Sequence, residues 1–218
     1  MTTETKVLAG ISIATIAIVV GAALMLGGNS TAEKPEAPVD AKLLVREDSY
    51  KMGPKDAKVT VVEFGDYQCP ACGAAHPIIK QLTREYEDKI LFVFREFPLS
   101  MHQHAKMAAE AAQAAGAQGK YYEMHDLLYD NQKDWAESPK AKEKIMGYAE
   151  SLKLDMDKFK SDVEGHKYEK RVQQDVSDGG SAGVDATPTF YINGVKHSGG
   201  LPYDEFKKKI DDALKATK

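Results

Sequence analysis

The chain has 218 residues, a formal net charge of -4 and 43% hydrophobic residues, enough for a domain that buries its own core without disulfide support. No dense Lys/Arg run occurs, and Lys207, Lys208 and Lys209 are offset by Asp204, Glu205, Asp211 and Asp212; this is a solvated helix face, so nucleic acid is excluded as an expected partner. The two cysteines, Cys69 and Cys72, cannot build a disulfide framework. A bridge between them closes too short a loop to add much stability, which leaves chemistry as the reason for the pair.

From Val7 to Gly28 the sequence is almost wholly apolar, and no charge follows until Glu33. A bilayer core takes about 20 such residues in a helix, so residues 1–28 are expected to form a single membrane anchor. A cleavable signal is the alternative, with Ser30 and Ala32 as the small residues of its cleavage site. Lys6 precedes the span while Glu33, Lys34, Glu36 and Asp40 follow it, an asymmetry that favours the remainder of the chain outside the cytoplasm. Disulfides persist there. Residues 29–43, with Pro35 and Pro38, read as a flexible tether, and 44–218 as the folded domain.

Lys58–Phe64 is rich in β-branched residues and reads as a buried strand ended by Gly65 and Asp66. A helix is expected from Cys69, with Cys72, Ala75, Ile79, Leu82 and Tyr86 on one face and Pro77 kinking its interior. Ile90–Phe94 is a second strand, so the opening is β-α-β with parallel pairing. The middle, residues 101–180, is expected to be an all-helical insert. Ala105–Ala115 and Lys120–Asp130 are strong helix formers, Ser138-Pro139 offers a helix start, and Asp155 offers another. A helix carrying Tyr168, Val172 and Val176 should stop at Gly179 and Gly180. Thr189–Ile192 and Val195–Ser198 flank Asn193-Gly194, a strong hairpin signal. A last helix carries Phe206, Ile210 and Leu214 on one face. The fold class is α/β, in the order β-α-β, helical insert, β-β-α.

A lone C-x-x-C is weak evidence, but this one follows a buried strand and opens a helix, where unpaired N–H groups and the helix dipole favour an anion. Cys69 is therefore expected to be an exposed, low-pKa thiolate and Cys72 its shielded partner, the pairing that thiol–disulfide exchange requires. Zinc is not expected at the cysteines, because no second ligand pair accompanies them. Glu63 shares a strand face with Val59 and Val61. Burial there would raise its pKa and suit it to exchange a proton with Cys72, the alternative being a carboxylate that reaches water. Asp66, close to Cys69, should oppose thiolate formation modestly, and His125, His166 and His197 read as surface residues.

The segments VTVVEFGDYQCPAC, FREFPL at Phe94–Leu99 and GVDATPTFYING at Gly183–Gly194 resemble, in family order, the DsbA-type thiol–disulfide oxidoreductases of the thioredoxin-like superfamily. The resemblance implies that Cys69 is the nucleophile and Cys72 the resolving cysteine, with Pro70 and Ala71 between them. It also implies that Thr187-Pro188 is a cis-proline loop that receives an extended substrate chain, and that Glu63 is the buried acidic residue. The Pro-Ala dipeptide departs from the Pro-His of the best-known oxidases, and so from their strongly oxidising character. The implied activity is donation of the Cys69–Cys72 disulfide to exported polypeptides with cysteine thiols, with reoxidation by a membrane or extracytoplasmic redox partner. The alternatives are a reductase or isomerase of the same fold, or a redox-silent module that binds unfolded chains. A membrane-anchored monomer without metal or organic cofactor is expected.

Overall fold

Two apolar strands with opposite-facing residues at alternate positions set the architecture, because each of their faces must be covered. The computed structural model describes residues 38–217; the expected anchor at 1–28 and most of the tether lie outside them. Helix α1 (Ala41–Leu44) and the short strand β1 (Lys51–Met52) precede strand β2 (Val59–Gly65), helix α2 (Pro70–Glu85) and strand β3 (Ile90–Glu96). The insert follows as α3 (Ala105–Gly116), α4 (Tyr121–Asp130), α5 (Gln132–Trp135), α6 (Ala141–Ser151), α7 (Met156–Glu164) and α8 (Glu169–Ala182). The chain closes with β4 (Thr189–Ile192), β5 (Val195–Ser198) and α9 (Tyr203–Ala216).

The sheet order is β1-β3-β2-β4-β5. β2 and β3 pair in parallel from Val59 opposite Ile90 to Gly65 opposite Glu96, as a β-α-β unit requires. β4 runs antiparallel to β2, with Val61 opposite Ile192 and Phe64 opposite Thr189, and β5 extends it as a hairpin. One sheet face packs Val59, Val61, Phe92, Phe94 and Phe190 against Cys72, Ile79 and Leu82 of α2 and Phe206 and Ile210 of α9. The other packs Val62, Phe64, Leu91, Val93 and Tyr191 against Leu44, Ala182 and Val184. The period of two in β2 thus puts Glu63 on the face beneath α2.

Several boundaries differ from the sequence pattern for identifiable reasons. The folded part begins ahead of Leu44: Val39 N–H bonds Gly194 O at 3.0 Å, and the Asp40 carboxylate caps α1 by accepting from Lys42 N–H at 2.9 Å. Helix α6 starts at Ala141, not at Ser138-Pro139, because the Ser138 oxygens are used in a turn, Oγ accepting from Lys140 N–H and the carbonyl from Ala141 N–H. Asp155 does cap α7, through Lys158 N–H at 3.0 Å. Helix α8 runs through Gly179 and Gly180 and ends at Ala182, followed by Gly183 at φ 90°. Gly179 is there for close approach, since a Cβ would fall 2.9 Å from both Phe64 and Phe97. Helix α2 continues across Pro77 to Glu85. Among the described residues, no helix is long and apolar enough to cross a membrane.

The insert is anchored at its entrance and exit by one buried network. Arg95, fully buried at the end of β3, donates from Nε to Asp175 at 2.8 Å and from Nη2 to Asp178 at 2.6 Å, both on α8. Its Nη1 reaches the carbonyls of Leu43 and Leu44 at 3.0 and 2.8 Å. Arg46 adds a second cation, 2.9 Å from Asp175. A buried guanidinium that donates four hydrogen bonds contributes mostly to holding these elements in one arrangement, because the desolvation cost offsets much of the attraction.

Candidate functional site

Strand β2 ends at Gly65 and the chain turns through Asp66-Tyr67-Gln68 to deliver Cys69 as the N-cap of α2, with Pro70 at the first helical position. Proline fits there because its missing N–H would have had no helical partner. The turn is tightly held. Asp66, 1% exposed, accepts from Gln68 N–H at 2.7 Å and Leu99 N–H at 2.8 Å, and pairs with His102 Nδ1 at 2.7 Å. Gln68 donates to Ala136 O and accepts from His104 N–H, each at 2.6 Å. Gln132 of α5 donates to the carbonyls of Tyr67 and Cys69, both at 2.8 Å. The insert thus holds the dithiol loop by three of its segments.

The two thiols are free and differ sharply in environment. Cys72 is fully buried, and Cys69 is only 7% exposed, more covered than its place at the helix start suggested. The Cys69 thiol is brought down to about 5, chiefly by the hydrogen bond from Cys72, with further help from Thr187 and the N–H groups of Cys72 and Ala71. Those two amides are the unpaired donors of the first helical turn. Burial pushes the Cys72 thiol strongly up, and its bond to Cys69 and the nearby Glu63 carboxylate push in the same direction.

Glu63 is 2% exposed, and burial raises its pKa to about 8. It is therefore protonated at neutral pH, and it lies near enough to Cys72 for its ionised form to raise that thiol further. The Thr187-Pro188 peptide bond is cis, and the Thr187 carbonyl accepts from Cys69 Sγ at 3.5 Å. The Thr187 hydroxyl is buried with no partner while Cys69 is a thiol, and its effect there is to favour the thiolate. Cys69, Cys72, Glu63 and Thr187-Pro188, separated by more than a hundred positions, are thus brought together, while Pro70 and Ala71 face solvent.

Three contributors escaped sequence reasoning. Gln132 and Tyr129 lie in the insert, Tyr129 with its ring 4.9 Å from that of Tyr67, and no local pattern distinguishes them from ordinary helix residues. His125 is the third: it is 3% exposed, not on the surface, and its Nδ1 lies 3.1 Å from the Tyr67 hydroxyl. It packs among Tyr67, Phe94, Tyr122 and Tyr129, so burial pushes its pKa well down. The missed signal was its spacing of three from Tyr122 and four from Tyr129 on the buried side of α4.

A family model described as Thioredoxin matches residues 46–212. The chain is 38% identical over 167 residues to the Na(+)/H(+) antiporter NhaA 1 of Salinispora arenicola, a match spanning 76% of this chain but 25% of that protein. The NhaA 3 protein of Salinispora tropica is 41% identical over 153 residues, again over 70% of this chain and 22% of that one. The chain therefore spans about a quarter of the length of these relatives, whose names describe the whole proteins. Among solved structures, a thioredoxin-like oxidoreductase from Silicibacter pomeroyi superposes with a TM-score of 0.69 at 27% identity, over 81% of this chain and 99% of that one. BdbD from Bacillus subtilis gives 0.70 at 24% over 83% and 97%, and α-DsbA1 from Wolbachia pipientis 0.73 at 22% over 81% and 96%. The chain belongs to the thioredoxin family, and its fold is that of the DsbA-type thiol–disulfide oxidoreductases.

Proposed function

We propose that this protein is an extracytoplasmic thiol–disulfide oxidoreductase that donates the Cys69–Cys72 disulfide to exported polypeptides. The observation that carries the reading is the asymmetry of the thiols, Cys69 lowered to about 5 and Cys72 raised by burial. A stabilised Cys69 thiolate favours the reduced protein, which makes the corresponding disulfide a better oxidant.

In the proposed cycle, a substrate thiolate attacks Cys69 Sγ of the disulfide. A mixed disulfide forms, and Cys72 leaves as a thiolate. Being strongly basic in its buried setting, Cys72 takes a proton, and protonated Glu63 is the group placed to supply it. A second substrate thiolate then attacks its own mixed-disulfide sulfur and releases Cys69 as the stable thiolate. The substrate loses two electrons and gains a disulfide, and the protein gains both electrons. The Thr187-Pro188 loop beside Cys69 offers main-chain groups to the extended substrate, in the manner of an added strand. A membrane or extracytoplasmic redox partner restores the disulfide. The apolar run Val7–Gly28 supports an anchored donor facing away from the cytoplasm.

Ala71 favours a second reading in the reducing or isomerising direction, because no imidazole lies between the cysteines to stabilise the thiolate further. Equilibration of the protein with glutathione buffers separates the two. A reduction potential between about -120 and -180 mV supports the disulfide donor, and one near -270 mV makes the protein a reductase. The absence of any reversible two-electron equilibrium would leave only the redox-silent binding module.

A further inference from the structure

His76 and His125 face one another across the boundary between α2 and α4, their ring centroids 5.4 Å apart. His76 Nε2 is the informative atom. The residue is 4% exposed, and Nε2 has no hydrogen-bond partner. Buried polar atoms are nearly always satisfied, so an orphan of this kind requires an explanation. Nε2 points toward the acidic side chains of α4, lying 3.7 Å from Asp126 Oδ1 and 3.3 Å from Asp130 Oδ1.

We propose that His76, His125 and Asp126 form a binding site for a divalent transition-metal cation, of which zinc is the best fit, that clamps the active-site helix to the insert. One ligand atom from each of the three lies within 4.8 Å of the others. Tetrahedral zinc with nitrogen and carboxylate ligands at about 2.0–2.2 Å needs ligand atoms about 3.4 Å apart. The His76–Asp126 edge, at 3.7 Å, is nearly at that spacing already. Two imidazoles and one carboxylate are a zinc donor set that leaves a fourth position for water, and the three residues border a cavity of about 90 Å³, large enough to hold one.

The second layer of contacts fits as well. His125 Nδ1 lies 3.1 Å from the Tyr67 hydroxyl. In the tautomer that donates Nδ1–H to that oxygen, Nε2 keeps its lone pair, the arrangement found around histidine ligands. The competing charge is Lys80, whose ammonium lies 2.9 Å from Asp126 and 2.8 Å from Asp130. A dication placed against Asp126 would displace that ammonium toward Asp130 and solvent. At the cysteines the sequence offers no second ligand pair for zinc. These ligands instead come from two helices more than forty positions apart.

The test must silence the dithiol, itself a strong zinc ligand. The full chain is oxidised to the Cys69–Cys72 disulfide and titrated with Co2+ and with Zn2+. The expected result is one Co2+ bound per chain, no thiolate-to-cobalt charge-transfer band, and a melting temperature raised by Zn2+. Asp126→Asn, at a half-buried position, should weaken binding by more than roughly tenfold, the loss typical even of an outer-shell partner. Lys80→Ala should tighten it, by removing the competing ammonium. A Cys69→Ser/Cys72→Ser variant should bind as wild type does. The site is refuted if the oxidised chain binds no stoichiometric metal, if Asp126→Asn binds as well as wild type, or if binding disappears with the cysteines.

Discussion

Replacing Cys69 with serine removes a thiolate but keeps its neighbours, and the effect on stability should depend on pH. In the reduced fold the thiol is depressed from 9.0 to about 5. A group whose pKa is lowered on folding contributes stability that is complete above its unfolded value and is lost as pH falls through the folded one. Between those limits the contribution grows by about 1.4 kcal/mol per pH unit, which gives ~2.7 kcal/mol at neutral pH. Solvent reaches part of the sulfur's surroundings, and screening trims this to about 2 kcal/mol. Cys72, with its raised pKa, stays protonated in both states at neutral pH and does not enter. Urea unfolding of the reduced wild type and of Cys69→Ser should therefore differ more at about pH 7 than at about pH 4.5, by roughly 2 kcal/mol. A difference that stays constant between those pH values would refute the assignment of Cys69 as the lowered thiol.

Three further variants test the same geometry. Burial holds the Glu63 pKa at about 8, above its usual 4.5. A carboxyl raised in this way costs stability as pH climbs above its unfolded value, so Glu63→Gln should stabilise the fold by about 3 kcal/mol at neutral pH and by nothing at about pH 4. The same variant should slow the departure of Cys72 as the mixed disulfide forms, measured by stopped-flow exchange; an unchanged rate would remove Glu63 from the proton path. Thr187→Val takes away a hydroxyl that helps lower the Cys69 pKa. The Cys69 thiolate absorbance should then titrate about one unit higher, the worth of one hydrogen bond to a charged group, and an unmoved midpoint argues against the hydroxyl. Gly179→Ala forces a methyl to 2.9 Å from Phe64 and Phe97 and should cost about 1–3 kcal/mol of stability; thermal melts indistinguishable from wild type would show that the contact relaxes freely.

The sheet and the dithiol were legible in the sequence because they rest on local rules. KVTVVEF and ILFVF are β-branched or aromatic runs bounded by turn residues, and Asn193-Gly194 dictates a hairpin. C-P-A-C at the junction of strand and helix carries its chemistry in its position. What stayed hidden depends on partners distant in the chain. Gly179 looks like a helix terminator, yet tertiary packing against Phe64 keeps the helix going. Strand β1 has two residues and exists by pairing Lys51 and Met52 with Val93 and Phe92. Glu63 could have faced water or the core, and only the position of α2 decides between them. His125 reads as polar, but it fills an aromatic cluster that no single helix encodes.

Strands β2 and β4 lie side by side although the entire insert separates them in sequence. One consequence concerns when the protein becomes chemically competent. Thr187 lies 118 positions from Cys69 and helps lower its pKa, while Gln132 from the insert grips the Cys69 carbonyl. A chain that has folded only β2, α2 and β3 therefore carries both cysteines but not the environment that activates the first. The lowered thiol is a property of the completed tertiary structure. Full reactivity arrives when the last hairpin docks.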